Sequence, residues 1–430
     1  MKNIDLSKPE LAINGGQPLR LKPWLDNFTT SEEEKIAVMR VMDSGYLSLF
    51  EGSHTPDAPF SFKGGPEVQS LENEWSIYHD IKHSISVNSA TSGLYAAIGA
   101  LEIGYGDEVI VSPYTMTACA VAPMIYGAIP VFADVELESG SLDPISVLER
   151  ITPRTKAILV VHQFGIPADM DAIMKIAKKH RLKVIEDCAQ AHGAKYKDQY
   201  VGTIGDIGVF SLNVNKSIQT GEGGVCVTDN DDIAYRLQLI RNHGEAVVGA
   251  AGYENIVNIA GFNYRLTEMQ AAIAREQLKK LLNFNNIRLD YVNYLINGLE
   301  DVDYLIPLLP RDNCLSTYYV LPIRFNEILA GIKRDEFVKA INAEGALFYQ
   351  GYTRPLYLQS IYQKRTFYKG GYPFTSPLNS KCYMNYQRGI CPIAEELYFS
   401  QMLINEHVRL PQDMEDIIML LKIIKKVGLV

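Results

Sequence analysis

The sequence lacks the features of several protein classes. Its six cysteines, at positions 119, 188, 226, 314, 382 and 391, form no CxxC pair, and several lie in apolar runs where a reduced thiol behaves as a small hydrophobic side chain. The apolar run 118–133 is interrupted by Pro123, Gly127 and Pro130, and the N-terminal residues contain no signal-peptide segment. These absences predict a cytoplasmic protein without a membrane association.

The sequence also has no basic stripe, internal repeat or low-complexity tract. Its formal net charge is −9, and acidic and basic residues are interspersed, which argues against nucleic acid as a partner. With 430 residues, 47% of them hydrophobic and 21% charged, the chain is expected to bury a large core divided between two packed domains.

From residue 85 onward, helical and strand-like patterns alternate, which is typical of an α/β protein with a mainly parallel sheet. The pattern predicts helices at 91–101, 115–126, 143–151, 168–179 and 231–241, and strands at 108–111, 129–133, 156–161, 182–186, near Val209 and at 224–227.

A second pattern marks the end of this large domain. Apolar residues recur at helical spacing from 267 to 282, and the helical character continues to about 297, so we place the domain junction there. The prediction is an N-terminal arm and large domain at 1–285 and a smaller α+β domain at 286–430, with a strand at 317–325 and helices at 334–343 and 413–427. The loops 48–65 and 357–388 are expected to line a binding site.

Two residues of the large domain suggest chemistry on an aldehyde cofactor. Asp187 ends the apolar strand LKVIED, so it lies at the carboxyl edge of the sheet, where α/β proteins bind ligands. Lys216 follows VFSL and precedes the glycine-rich turn QTGEGG. A lysine amine forms Schiff bases, and a carboxylate can hold a pyridine nitrogen protonated. Taken singly, Asp187 is equally a helix cap, and Lys216 a solvated surface lysine.

The combined motifs change that balance. VIEDCAQAHGA, VGTIGDIGVFSLNVNKSIQTGEGG and GFNYRLTEMQAAI occur in this order, and the chain from about Glu32 to Val427 resembles the DegT/DnrJ/StrS family of sugar aminotransferases. The resemblance implies the type I pyridoxal 5'-phosphate (PLP) aminotransferase fold and a homodimer whose active sites lie at the subunit interface.

The same resemblance implies residue roles. Lys216 matches the lysine that binds PLP covalently and moves the proton, Asp187 the partner of the pyridine nitrogen, and Gln190 a contact to the ring hydroxyl. The cofactor phosphate is expected on the backbone amides of Ala90 and Thr91, within NSATSGL, and on the Ser211 hydroxyl. Two further matches are Asn263, which in the family reaches across from the partner subunit, and His162 in VHQFG.

Several of these assignments have a plain structural alternative. Ser211 suits a strand end and Asn263 a turn, and His162 is as often a satisfied core histidine. The family motif PxTFxATA is PYTMTACA here, so that Met116 takes the place of the aromatic residue over the ring. Arg265 either holds a donor carboxylate or braces the following helix.

The substrate is less sharply indicated. Candidate substrate contacts, each with a packing role as the alternative, are Tyr46, Phe50, His54, Tyr352, Arg354 and Tyr357. The resemblance implies amino transfer from an amino acid, with L-glutamate as the expected donor, to a keto sugar. Gly351, Tyr352, Arg354 and Pro355, with CPIAEEL further on, resemble the C-terminal signature of several sugar-directed members, which favours a nucleotide-linked ketone; a keto-inositol is the alternative.

Other classes of protein fit less well. The family's dehydratases replace the lysine by histidine, so Lys216 argues against that branch. A non-catalytic regulatory module on the same fold would not need Asp187, Gln190, Ser211 and Lys216 together. A dinucleotide-dependent oxidoreductase is rejected because no GxGxxG opens a helix after the first strand. No metal site is expected.

Overall fold

The structure is a computed structural model that describes residues 4–53 and 58–428. Its strands are β1 (His83–Val87), β2 (Glu108–Val111), β3 (Ile129–Phe132), β4 (Thr155–Val161), β5 (Lys183–Asp187), β6 (Lys195–Tyr196), β7 (Gln199–Tyr200), β8 (Ile207–Ser211), β9 (Gly224–Thr228), β10 (Leu305–Pro307), β11 (Cys314–Leu315), β12 (Leu321–Phe325), β13 (Tyr349–Gln350) and β14 (Met402–Asn405). Its α-helices are α1 (Glu32–Ser44), α2 (Pro66–His79), α3 (Ala90–Ala100), α4 (Ala118–Ile125), α5 (Pro144–Glu149), α6 (Met170–His180), α7 (Asp231–Arg241), α8 (Val248–Ala251), α9 (Glu268–Gly298), α10 (Glu327–Ala330), α11 (Arg334–Ala343), α12 (Ser360–Gln363), α13 (Pro392–Glu396) and α14 (Met414–Gly428).

A seven-stranded sheet in the order β1-β9-β8-β5-β4-β2-β3 forms the centre of the large domain. Strands β8, β5, β4, β2 and β3 run parallel, whereas β9 is antiparallel to both of its neighbours. The predicted α/β class with a mainly parallel sheet is therefore confirmed. Because β5 and β8 are adjacent and parallel, Asp187 and Ser211, at their ends, lie at the same edge.

Close packing brings helix α3 onto this sheet. A Cβ on Gly224, the first residue of β9, would lie 2.7 Å from the amide nitrogen of Ala90, and a Cβ on Gly93 would lie 2.9 Å from Cγ1 of Val209. Only a residue without a side chain fits at either position. The two glycines therefore fix the start of α3 against β9 and against β8, the strand that ends in Ser211.

The C-terminal part contains a four-stranded antiparallel sheet in the order β10-β12-β14-β13, with α11 and α14 packed on each other beside it. This is the expected smaller α+β unit. The predicted helical stretch 267–297 is one continuous helix, α9, which packs against α1 and α2 and also against α14. Because α9 runs unbroken through residue 285, a division of the chain at that point stays a prediction.

Three local predictions differ from the structure. Helix α2 and strand β1 were not predicted as elements, and the predicted helix at 115–126 begins only at Ala118. The predicted strand 317–325 is a strand only from Leu321. Before it, the amides of Thr317 and Tyr319 donate to the carbonyls of Gly165 and Phe164, so this segment joins the large domain instead of extending β12.

Within residues 4–53 and 58–428, none of the helices combines the length and the apolar content that a transmembrane crossing needs.

Replacing Gly224 by alanine tests the packing of α3. Its Cβ meets backbone atoms of Ser89 and Ala90, which cannot rotate away, so we expect the free energy of unfolding to fall by about 1–3 kcal/mol. Gly249→Ala is the matched control, since a Cβ there has no atom within 4 Å and lies in the short helix α8. Denaturant unfolding measures both, and equal stabilities for the two variants would contradict the packing argument.

Candidate active site

Asp187 is buried at the carboxyl end of β5, and both of its carboxylate oxygens are held. The amide of Ala189 donates to Oδ1 at 3.0 Å, and the thiol of Cys119 donates to Oδ2 at 3.0 Å. Burial and the adjacent Asp187 carboxylate raise the pKa of the Cys119 thiol well above its ordinary value, so it stays protonated and remains a donor. Sequence reasoning missed Cys119, although it stands in the quoted PYTMTACA.

Gln190 connects this strand end to two other segments. Its Oε1 accepts from the amide of Phe164 at 2.7 Å, and its Nε2 donates to the hydroxyl of Tyr352 at 2.7 Å. Burial raises the pKa of the Tyr352 phenol, which therefore remains protonated. Two predicted site residues far apart in sequence are thus in direct contact, one from the large domain and one from the C-terminal part.

Lys216 lies in the turn between β8 and β9. Its amide donates to the carbonyl of Asn213 at 2.9 Å, and Asn27 of the N-terminal arm donates to the Lys216 carbonyl at 3.0 Å. The Nζ atom lies 4.4 Å from the centroid of the Tyr319 ring, within the range of a cation–π contact. Tyr319 was not predicted, because its position depends on the contact of residues 317–319 with the large domain.

The first turn of α3 forms an anion-binding arrangement beside these residues. Ser89 caps the helix, and the first intrahelical bond runs from the amide of Gly93 to the carbonyl of Ser89 at 3.0 Å. The amides of Ala90 and Thr91 precede that bond and point along the positive end of the helix dipole. Ser211 pairs with Gly224, whose Cα lies against Ala90, so the hydroxyl-bearing strand end and the helix start are neighbours. These groups fit a phosphate dianion.

Asn263, Arg265 and Met116 are more exposed than Asp187 and Gln190. The Asn263 side chain is exposed and accepts from Nε of Arg265 at 2.9 Å, while Arg265 also donates to Asn242. The carbonyl of Asn263 accepts from Asn88, directly before the α3 cap. Met116 is 53% exposed. Both contacts of Arg265 are to asparagine side chains of the same chain and neither is to helix α9, so its two predicted roles stay predictions.

His162 occupies a different place. Its Nδ1 accepts from the amide of Ala168 at 3.1 Å, and its Nε2 donates to Glu186 at 2.9 Å, so both ring nitrogens have partners. Because Glu186 precedes Asp187 in β5, its side chain points to the opposite face of the sheet. The structure thus places His162 away from the Asp187 carboxylate and supports the satisfied core histidine.

Ligand atoms of His162, Glu186 and Cys188 lie within 4.8 Å of one another, a spacing that a metal ion would also need. The Glu186 carboxylate, however, is already surrounded by amide donors, those of Gly202, Ile204 and Gly205. With these bonds the Glu186 carboxylate holds the turn before β8 against the sheet. Its oxygens already accept hydrogen bonds from the protein and are not free for a metal ion.

The remaining substrate candidates divide into exposed and buried residues. Tyr46 and Arg354 are exposed, and Tyr46 has an edge contact with the Phe60 ring at 6.2 Å. Phe50 and Tyr357 are buried, the first under the Arg241 guanidinium and the second donating to Glu395 at 2.6 Å. These two have packing roles, and His54 lies outside the described residues.

A parallel sheet with a buried aspartate, a lysine turn and a phosphate-suited helix start along one edge defines a PLP-dependent aminotransferase. The sequence profile of the DegT/DnrJ/EryC1/StrS aminotransferase family matches residues 58–384. The chain belongs to that family.

Individual relatives agree with this assignment. The chain is 32% identical over 346 residues to the spore coat polysaccharide biosynthesis protein SpsC of Bacillus subtilis (strain 168), covering 79% of this chain and 85% of SpsC. The aminotransferase from Psychrobacter cryohalolentis superposes with a TM-score of 0.78 at 29% identity, covering 94% of this chain and 98% of that one. DesV of S. venezuelae, solved in complex with a ketimine intermediate, gives 0.76 at 29% identity, covering 94% and 99%.

Substituting His162 distinguishes its structural role from a cofactor contact. In His162→Phe the buried Glu186 carboxylate loses a donor, so we expect a loss of about 1–3 kcal/mol in unfolding free energy with the visible absorbance of bound PLP retained. Thermal unfolding and a PLP titration measure the two effects. A variant as stable as the wild type that no longer binds PLP would favour the role implied by the family resemblance.

Proposed function

We propose that this aminotransferase moves an amino group from L-glutamate to a nucleotide-linked keto sugar, in amino-sugar biosynthesis. The observation that carries the proposal is the grouping of Asp187, Gln190, Ser211 and the Lys216 turn around the carboxyl ends of the adjacent strands β5 and β8. Ligands of α/β proteins bind at such an edge.

In this proposal, the residues act on a cofactor whose pyridine ring accepts electrons when the Cα–H bond of the donor breaks. Asp187 would hold the ring nitrogen in its protonated form. The Ala189 amide and the Cys119 thiol set the orientation of its carboxylate by holding one oxygen each. Lys216 would hold the cofactor covalently and, when released, would carry the proton at its Nζ, which lies 4.4 Å from the centroid of the Tyr319 ring.

We assign the phosphate to the start of α3, where the amides of Ala90 and Thr91 and the nearby hydroxyl of Ser211 supply donors. Gln190 is assigned to the contact with the ring hydroxyl. Gln190 also donates to the hydroxyl of Tyr352, so its contact with the ring hydroxyl would depend on the position of the C-terminal part. Met116 is exposed and lies three residues before Cys119, which holds Asp187, so its thioether would be available to cover the ring.

The keto-sugar assignment draws on the polysaccharide relative. A sugar amine destined for a polysaccharide is made most directly on an activated, nucleotide-linked sugar. Tyr46 and Arg354 are exposed and remain the candidates for contacts to the nucleotide or sugar. The segment CPIAEEL, by contrast, is structural: the amides of Ile393 and Ala394 both donate to Asp134.

We also propose a cytoplasmic homodimer with shared sites. Asn263 is exposed, as a residue that serves a partner subunit must be. Exposed apolar side chains recur at helical spacing on α1, those of Ile36, Met39 and Met42, and suit an interface. The cysteines of the described residues are unpaired thiols, which fits a reducing compartment.

Absorbance titration of the PLP-loaded protein with L-glutamate tests the reaction. We expect the yellow band of the lysine-bound cofactor to convert to the pyridoxamine form in the wild type, and Lys216→Ala to show neither the band nor the conversion, because the covalent attachment is lost. Lys339→Ala, which removes an exposed lysine on α11, is the matched control and should behave as the wild type.

A panel of nucleotide-linked keto sugars and keto-inositols, added to the pyridoxamine form, then identifies the ketone. Return of the yellow band with a keto-inositol alone would overturn the nucleotide-sugar assignment. If the wild type never forms the yellow band, the cofactor residues are wrongly assigned.

Mixing inactive variants tests the shared site. If Asn263 serves the partner's site, a dimer of one Lys216→Ala chain and one Asn263→Ala chain has one intact site, so random mixing restores about a quarter of wild-type activity. A mixture of Lys216→Ala with Asp187→Ala is the control and should restore none, because both residues belong to one chain's site. No recovery in the first mixture would contradict a shared site.

A further inference from the structure

Two buried arginines hold the residues on either side of Lys216. Arg409, which follows β14, donates to the carbonyl of Asn215 at 3.1 Å, and Arg288 of α9 donates to the hydroxyl of Ser217 at 2.7 Å. Their exposed fractions are 6% and 3%. The lysine turn is therefore fixed by one guanidinium from the C-terminal part and one from the long helix.

Neither arginine has an acidic partner, in contrast to the other buried arginines of the described residues. Each of those has a carboxylate oxygen within 4.0 Å: Arg20, Arg236, Arg241 and Arg334. In the same part of the chain no ion pair is formed by Arg288 or Arg409, and the Nε atom of each has no hydrogen-bond partner. A buried guanidinium without a counter-charge is costly, so this pair favours an anion from outside the chain.

The carboxylates of Asp26 and Glu406 act on Arg409 from beyond 4.0 Å and offset its charge only in part. Burial and the neighbouring Arg409 lower the pKa of Arg288 to about 9, and burial lowers the pKa of Arg409 in turn. The nearby imidazole of His192 is buried, which lowers its pKa to about 3, so it is neutral at pH 7 and adds no charge of its own. At neutral pH two guanidinium charges thus lie next to the Lys216 turn.

Tyr319 connects the arginines to the reacting lysine. Its ring centroid lies 4.4 Å from Nζ of Lys216, and its phenol is close enough to Arg409 and Arg288 to affect the pKa of each. An amino acid whose nitrogen replaces Lys216 on the cofactor carries its carboxylate one carbon away from that nitrogen. A guanidinium that borders the lysine turn is therefore in the right region to receive the carboxylate, and its fork geometry matches a carboxylate.

We propose that Arg409, supported by Arg288 and Tyr319, is the binding group for a carboxylate of the amino donor. This inference rests on the proposed function, since it assumes an amino-acid donor. It assigns to Arg409 the role for which the sequence suggested Arg265, whose guanidinium instead bonds Asn263 and Asn242 within the chain.

The test compares Arg409→Gln with Arg265→Gln in the PLP-loaded protein. The KM for L-glutamate in the cofactor conversion is expected to rise about 10- to 100-fold in R409Q, the range for loss of a charged hydrogen-bonded contact, and by less in R265Q, which removes the alternative candidate. Arg181→Gln, at an exposed arginine directly after α6, is the matched control and should leave the KM unchanged. Methylamine, which has no carboxylate, also displaces the lysine from the cofactor and shifts its absorbance. Its apparent affinity is expected to be the same in R409Q and in the wild type.

Each other outcome has a defined meaning. An unchanged KM in R409Q, or a rise confined to R265Q, overturns the proposal. So does an equal loss with L-glutamate and methylamine, because Arg409 would then only position the Lys216 turn. If R409Q fails to fold, R409K decides: a KM raised threefold or more, with methylamine unaffected, supports the subsite, and an unchanged KM overturns it. Failure of the wild type itself to react with amino acids would instead refute the proposed function.

Discussion

The placement of one buried carboxylate organises this protein. Asp187 is useful only if it is correctly oriented and lies at the ligand-binding edge of the sheet, and the strand pairing and its donors satisfy both conditions. Register with Val161 and Val209 on the adjacent strands fixes its height in the sheet. Two donors, one amide and one thiol, fix its rotation. A charge taken out of water requires such donors, because its burial otherwise costs several kcal/mol.

The C-terminal part belongs to the same site and is more than a separate unit beside it. Tyr352 bonds Gln190, Tyr319 lies over Lys216, and Arg409 holds the residue before that lysine. Each of the three contacts joins a residue beyond position 315 to the edge of the large sheet. A change in the position of the C-terminal part would thus alter the Gln190 side chain, the surroundings of the lysine amine and the lysine turn together.

The sequence was sufficient for the elements whose patterns are local. Strand β2 and helices α7 and α11 have the predicted bounds, and the family motifs indicated Asp187 and Lys216 directly. The sequence was insufficient where tertiary contacts determine the local structure or the position of a side chain. Residues 317–319 are as strand-like as β12, yet their amides bond the turn at 164–165 instead of a strand. Tyr319 and Arg409 gain their positions only through such contacts, so no pattern of spacing indicated them.

His162 and Arg409 are both buried polar residues, but they differ in how fully their nitrogens are hydrogen-bonded. His162 has a partner on each nitrogen, and the carboxylate that it meets is saturated by backbone amides, so the network is closed and favours stability. Arg409 has one bond to a carbonyl and a further nitrogen without a partner, next to a second guanidinium in the same condition. An open network of this kind costs stability in the fold alone, and its electrostatic cost falls when an anion binds. A ligand that binds only the folded state stabilises that state. An unpaired buried arginine therefore lowers the free energy of unfolding in the absence of the anion and increases the affinity for the anion.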